Sequence, residues 1–206
     1  MKIETIELAG FASALKALRL PYGKEARSQF YTPQGGVTTY LDQRDNQMVM
    51  RAYGGNFNIC PEDMNLLKTL IQRGDSHAKP VRGILAYADI VAPIHFWWDL
   101  ETYRCGHERL FSASTMNTEG KSLHGKALAR ALDQVPFSRE IHKVDFFSYQ
   151  CLRNIVKQRY NHRKMEFHEF IEWIRTLPLA NELILPGLEK ELEFHDEFYK
   201  QMLEEE

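Results

Sequence analysis

The densest collection of side chains able to hold an anion lies late in the chain, where Arg153, Lys157 and Arg159 precede Arg163 and Lys164. Arg153 and Lys157 are four residues apart and share one helix face, whereas Arg159 points elsewhere. Arginine presents a planar fork that matches phosphate oxygens. The run therefore reads either as a phosphate site or as a solvated helix surface. A second feature is Phe96-Trp97-Trp98 with Tyr103. These rings could stack on a flat heterocycle, although such stripes usually build a core. His142, His162, His168 and His195 are scattered, and FHEFIEW lacks the second histidine of an HExxH helix, so no metal site is expected. There is no GxSxG, no P-loop and no GxGxxG after a strand. Nucleophilic serine or cysteine catalysis has no motif behind it, and no catalytic residue is assigned.

Composition narrows the partners. The 206 residues are 44% hydrophobic and 12% aromatic, as suits a packed globule. A formal net charge of −2 lacks the basic excess of a nucleic-acid binder, so no nucleic acid is expected and any anion site must come from local clustering. Cys60, Cys105 and Cys151 are too few and too dispersed for a disulfide framework, and none forms a CxxC pair. The start, MKIETIELAG, lacks the apolar run of a signal peptide. The longest apolar stretch, Ile90 to Trp98, is broken by Pro93 and His95 and is far short of the roughly 20 residues of a membrane span. The expectation is a cytoplasmic protein away from membranes.

The elements that must position these residues follow from periodicity and punctuation. Residues 1–8 carry a strand signal, and Gly10 opens a helix that Pro21-Tyr22-Gly23 stops. Residues 37–53 predict a hairpin, with VTTYL and QMVMRAY flanking a polar turn. Pro61 suits the first position of a helix running to Arg73 and closed by Gly74. GILAYADI, 83–90, reads as a buried strand, and HFWWDLETYR as a helix ending near Cys105-Gly106. Residues 107–120 read as an ordered, hydroxyl-rich loop. From Lys121 onward the chain reads as almost entirely helical, over roughly 122–133, 138–160, 165–176 and 186–204. The fold class is α+β, an N-terminal sheet followed by a mostly helical C-terminal half in one domain, 1–206, with 37–53 as an insertion.

The order of segments resembles the flavin-dependent thymidylate synthase family. GFASALKALR is similar to that family's opening strand-to-helix segment, and LLKTLIQRG followed by ILAYADIVAPI to the helix and strand leading into its signature. His107-Glu108-Arg109-Leu110-Phe111-Ser112 resembles the arginine-histidine-arginine-x-x-serine signature, with Arg109 and Ser112 in register and the first two positions changed. LARALDQVP resembles the alanine-arginine-x-x-leucine-proline segment with two extra residues, and CLRNIVKQR a helix in which Asn154 and Arg159 match family positions.

The resemblance implies a homotetramer with its active sites between subunits, acting on carbon 5 of a pyrimidine deoxynucleotide monophosphate. Reduced flavin (FAD) and a folate one-carbon donor would supply the chemistry, with no protein nucleophile. It implies Arg130 and Arg159 as binders of deoxyuridine monophosphate (dUMP), with Ser112 and Ser114 positioning base or phosphate. It implies His107, Arg109 and Asn154 at the flavin. Two departures keep other readings open: Glu108 stands where the signature has a histidine and would repel a pyrophosphate, and Arg82-Gly83 replaces a flavin-contacting histidine. The alternatives are a non-catalytic nucleotide-binding relative that has lost flavin, and an unrelated interaction protein.

Overall fold

The computed structural model describes the backbone of residues 1–24, 29–31, 40–44, 47–52, 55–118 and 120–204, with side chains described outside 29–58, 116 and 118. The first half contains β1 (Lys2–Ala9), α1 (Phe11–Ala17), β2 (Gln29–Tyr31), β3 (Tyr40–Arg44), β4 (Gln47–Ala52), β5 (Gly55–Ile59), α2 (Pro61–Gln72), β6 (Leu85–Pro93) and α3 (Ile94–Leu100). The second contains β7 (His107–Ser112), α4 (Thr115–Thr118), α5 (Gly125–Asp133), β8 (Glu140–Ser148), α6 (Tyr149–Arg159), α7 (Met165–Thr176), α8 (Ala180–Leu183) and α9 (Glu189–Glu204). The class is α+β. Among the described residues no helix is long and apolar enough to cross a membrane.

The sheet that carries the core is antiparallel with strand order β1-β6-β8-β7. Along β6 the alternate residues Ala86, Ala88, Ile90 and Ala92 are fully buried, as a two-residue period requires. Ala86 and Ala88 stand opposite Phe147 and Asp145 of β8, and their small side chains leave room for those larger ones. The Trp97 indole N–H donates to the Ala92 carbonyl at 3.0 Å and the Ile141 carbonyl at 3.2 Å, tying α3 to both central strands. Phe96, Phe147, Phe167 and Phe170 fill the space between this sheet face and α7.

Local chemistry explains several element ends. Pro61 occupies the first turn of α2, where its missing N–H costs nothing, and Met64, Leu67, Leu70 and Ile71 form the buried stripe. Gly10, before α1, has φ 87°, and a Cβ there would lie 1.7 Å from the Gly83 carbonyl oxygen, so only glycine lets the helix start this close to residue 83. The Ser148 hydroxyl accepts from the Cys151 amide at 3.1 Å and caps α6.

Two expectations need correction. Residues 107–112, expected as loop, are strand β7, and 140–148, expected inside a long helix, are strand β8, so the second half is not uniformly helical. The reason on β8 is that its inward face is partly polar: Lys143 and Asp145 are buried beside Phe147, and Val144 and Phe146 lie on the other face, while β7 is an edge strand with no buried residue to give an apolar period. A strand that buries charge inverts the apolar-in pattern used to recognise strands. The expected hairpin exists as β3 paired with β4 from Tyr40↔Arg51 to Arg44↔Gln47, but it belongs to a second antiparallel sheet ordered β2-β5-β4-β3. Positions 37–39, 45–46 and 53 of that expectation lie outside the described residues.

Candidate functional site

A cleft of about 400 Å³ lies between the end of α3 and the start of β7, lined by Glu101, Tyr103, Arg104, His107, Glu108 and Arg109. At its base Asp145 is fully buried. Its Oδ2 lies 2.7 Å from His107 Nε2, and the other ring nitrogen of His107 lies 3.2 Å from the Tyr103 carbonyl oxygen. The imidazole stacks on Phe147 with centroids 4.4 Å apart and planes 11° apart, so its orientation is fixed from three sides. Asp145 Oδ1 has no hydrogen-bond partner among the described residues, and its nearest cation is Arg109 Nε at 3.9 Å.

Glu101, at the end of α3, gathers the remaining cations. Its Oε1 accepts from Lys143 Nζ at 2.7 Å and also from the Arg109 guanidinium. Lys143 is only 6% exposed and sits 4.3 Å from the Trp97 ring centroid. Burial lowers the pKa of its ammonium, against the pull of Glu101. Burial also opposes ionisation of Glu101, but the Lys143 hydrogen bond and the charges of Lys143 and Arg109 prevail and hold that carboxyl below its usual range.

Arg159 reaches the cleft indirectly. Its Nε donates to the Tyr103 hydroxyl at 2.9 Å, and its guanidinium carbon lies 4.8 Å from the Phe167 ring centroid. Burial raises the Tyr103 pKa in spite of that bond, which keeps the hydroxyl neutral. Asn154, on the same helix, accepts through Oδ1 from Gln150 Nε2 at 3.2 Å. The same Gln150 amide donates to Asp75 Oδ1 at 3.0 Å.

A bulge decides which signature residues meet. Arg109 stands opposite Asp145 and Ser112 opposite Lys143, although three residues separate them and a regular strand would turn them to opposite faces. The register shift between Arg109 and Phe111 absorbs Leu110 as an extra residue. His107, Arg109 and Ser112 thereby share the polar face, and Phe111 is turned outward, 82% exposed.

Of the expected site residues, His107 and Arg109 line the cleft, Ser112 lies on the same sheet face, and Arg159 touches a lining residue. Ser114 lies in the turn before α4, and Arg130 is exposed on α5 without a hydrogen bond or ion pair to any described residue; neither lines the cleft. Two more of the basic run are held structurally, Arg153 buried on the Ile184 carbonyl at 2.7 Å and Lys164 Nζ donating to Asp99 at 2.7 Å, while Lys157 and Arg163 are exposed. Asp145, Lys143 and Glu101 were missed as site residues, whereas Tyr103, singled out among the aromatic residues, lines the cleft. The available signal was charge alternating with aromatic and β-branched residues in HKVDFF. Burial pushes the Cys151 thiol up to about 12, so it is no nucleophile. Glu172, His195 and Asp196 offer metal-type ligand atoms, but Arg175 NH1 lies 3.0 Å from Glu172 and 2.7 Å from Asp196 and neutralises the group.

The donor set distinguishes two ligands. A phosphate monoester suits the lining Arg104, which pairs with no side chain among the described residues, and Arg159 behind Tyr103. A dinucleotide pyrophosphate does not fit the cleft of one chain, because Arg109 and Lys143 already face Glu101 and the lining adds Glu108.

No protein-family model matches this chain, and no curated protein matches it. Solved structures do. Flavin dependent thymidylate synthase ThyX from Helicobacter pylori, complexed with FAD and dUMP, matches with TM-score 0.60 and 11% identity over 89% of this chain and 98% of that one. A second structure of thymidylate synthase X (ThyX) from Helicobacter pylori, with FAD and dUMP, matches with TM-score 0.59 and 12% identity over 94% and 100% of the two chains. At such identities the likeness is one of architecture: this chain has a ThyX-like α+β fold.

Proposed function

We propose that this chain binds a pyrimidine deoxynucleotide monophosphate at the polar face of β7 and, as a flavin-dependent thymidylate synthase-like enzyme, modifies carbon 5 of its base. The observation that carries this reading is the convergence of His107, Arg109 and, through Tyr103, Arg159 on one cleft within a ThyX-like fold. The similar solved structures hold FAD and dUMP, which supports the same ligand classes here. Arg159 and Arg130 would bind phosphate, Ser112 and Ser114 would position the nucleotide, and His107, Arg109 and Asn154 would border FAD. A folate would donate the one-carbon unit. Since Arg130 and Ser114 do not line the cleft of their own chain, the proposal includes a homo-oligomer, a tetramer by resemblance, in which a second copy completes the site. Residues 1–206 form one domain in this reading, with 37–53 inserted, and the protein works in the cytoplasm without nucleic acid.

A second reading, a nucleotide-binding relative without flavin, is favoured by one observation: Glu101 and Glu108 oppose a pyrophosphate. Visible absorbance after incubation with FAD and removal of the excess separates the two. Retained flavin bands together with dUMP binding support the enzyme. A colourless protein that binds dUMP supports the relative, and one that binds neither overturns both. Arg159→Ala should weaken dUMP binding by about 1.5–3 kcal/mol in calorimetric titration, and unchanged affinity would remove Arg159 from the site.

A further inference from the structure

A second cavity, of about 430 Å³, lies between the end of α1 and the C-terminal end of α2 and shares no lining residue with the cleft. Its floor is apolar and belongs to the core: Leu18 is 1% exposed and Leu70 8%. Two walls are stiff. Pro21 begins the turn that carries Tyr22, and Pro80 lies in the 3-10 segment Lys79–Gly83. The segment below Pro80 is also braced, because Arg82 donates to the Asp75 carbonyl at 2.7 Å and Asp75 accepts from Gln150.

Polar character is confined to one side. Ser76, His77 and Lys79 lie on a single stretch of chain, and among the described residues no carboxylate lines the cavity. The Lys79 ammonium and the His77 ring make no hydrogen bond or ion pair with any described residue, and the half-exposed Tyr22 ring stacks on none. This contrasts with the β7 cleft, where the buried lysine and Arg109 already hold a carboxylate. An apolar floor, a free aromatic wall and an unneutralised cation at the rim together describe a ligand with a flat apolar body and one anionic group. The volume suits a bicyclic ring, and water-exposed Lys79 can donate to the anion without first giving up a partner.

We propose that this cavity is a binding site for aromatic monoanions, with the ring on Leu18 and Leu70 beside Tyr22 and the anionic group at Lys79 and His77. The site is independent of the nucleotide reading.

The test uses the full chain and 2-naphthoate as probe, followed by amide NMR shifts and calorimetry. Saturable one-to-one binding is expected, with the shifts concentrated at Tyr22, Leu70 and Ser76–Lys79. The uncharged 2-naphthamide should bind about tenfold more weakly, and Lys79→Glu should weaken naphthoate by at least about tenfold. Ala17→Trp, at an exposed rim position, should block the cavity while leaving the thermal melt unchanged. Binding of dUMP should be the same in wild type and in Lys79→Glu, which separates this site from the cleft. Absence of saturable naphthoate binding overturns the proposal. So does equal affinity in Lys79→Glu, or a shift pattern centred on the exposed Phe111 of β7.

Discussion

Asp145 concentrates the electrostatics of the cleft, since one buried carboxylate faces His107 on one oxygen and Arg109 on the other. Asp145→Ala would leave the His107 ring nitrogen without its partner at 2.7 Å and should cost about 1–3 kcal/mol in urea unfolding. Asp145→Asn, which keeps the shape and a hydrogen-bonding oxygen, should cost clearly less; equal losses would mean that packing rather than charge holds the strand pair. Glu101 acts in the opposite direction for binding, because it occupies Lys143 and Arg109. Glu101→Gln should release both cations and tighten dUMP binding about tenfold, the size of one charge-assisted hydrogen bond. An unchanged or weaker Kd in calorimetric titration would show that these cations do not face the ligand.

At the scale of elements, α9 is held to α7 through a buried histidine pair. His168 and His195 are both fully buried with ring centroids 4.9 Å apart, and Tyr199 stacks on His168 at 5.4 Å. His168 Nε2 bonds the His162 carbonyl at 2.6 Å, and Glu172 and Asp196 lie beside His195. Burial, and then the neighbouring His195, lowers the His168 pKa below the ordinary histidine value in spite of the bond to the His162 carbonyl. The fold thus favours the neutral ring, so its contribution is complete above about pH 6.5 and is lost as pH falls through the lower folded value. The urea midpoint should fall between pH 7.5 and 5.5, and by less in His168→Gln. A drop of the same size in that variant would assign the acid sensitivity elsewhere. Elements that bury apolar stripes, such as α2 and α7, were legible in the sequence because their period matches a helix. β7 and β8 were not: Lys143 and Asp145 of β8 face inward, and β7 is an edge strand that buries none of its residues. The resemblance that picked out Arg109 and Ser112 could not reveal that a bulge brings them to one face, and it overlooked Asp145 because Asp145 is distant in sequence.

For the whole molecule, the proposed oligomer would bring a second copy against exposed apolar residues. Phe111 is 82% exposed, Phe137 59%, Trp98 57% and Leu110 51%, and none of the described residues of α5 is buried. Trp98 and Phe137 pack together with ring centroids 4.7 Å apart, and a second copy covering them would take apolar surface out of water. Light scattering during gel filtration should find a multimer, and Phe111→Asp should shift it toward smaller species with concurrent loss of dUMP binding; a wild-type monomer would sink the shared-site idea. The bulge on β7 also sets what changes in chain length this site tolerates. Losing Leu110 would leave Arg109 opposite Asp145 and Ser112 opposite Lys143 in a regular ladder, whereas gaining a residue there would carry Ser112 out of register. Among descendants of a common ancestor, deletion at this point should therefore be survivable and insertion should not, so lengths would drift in one direction only.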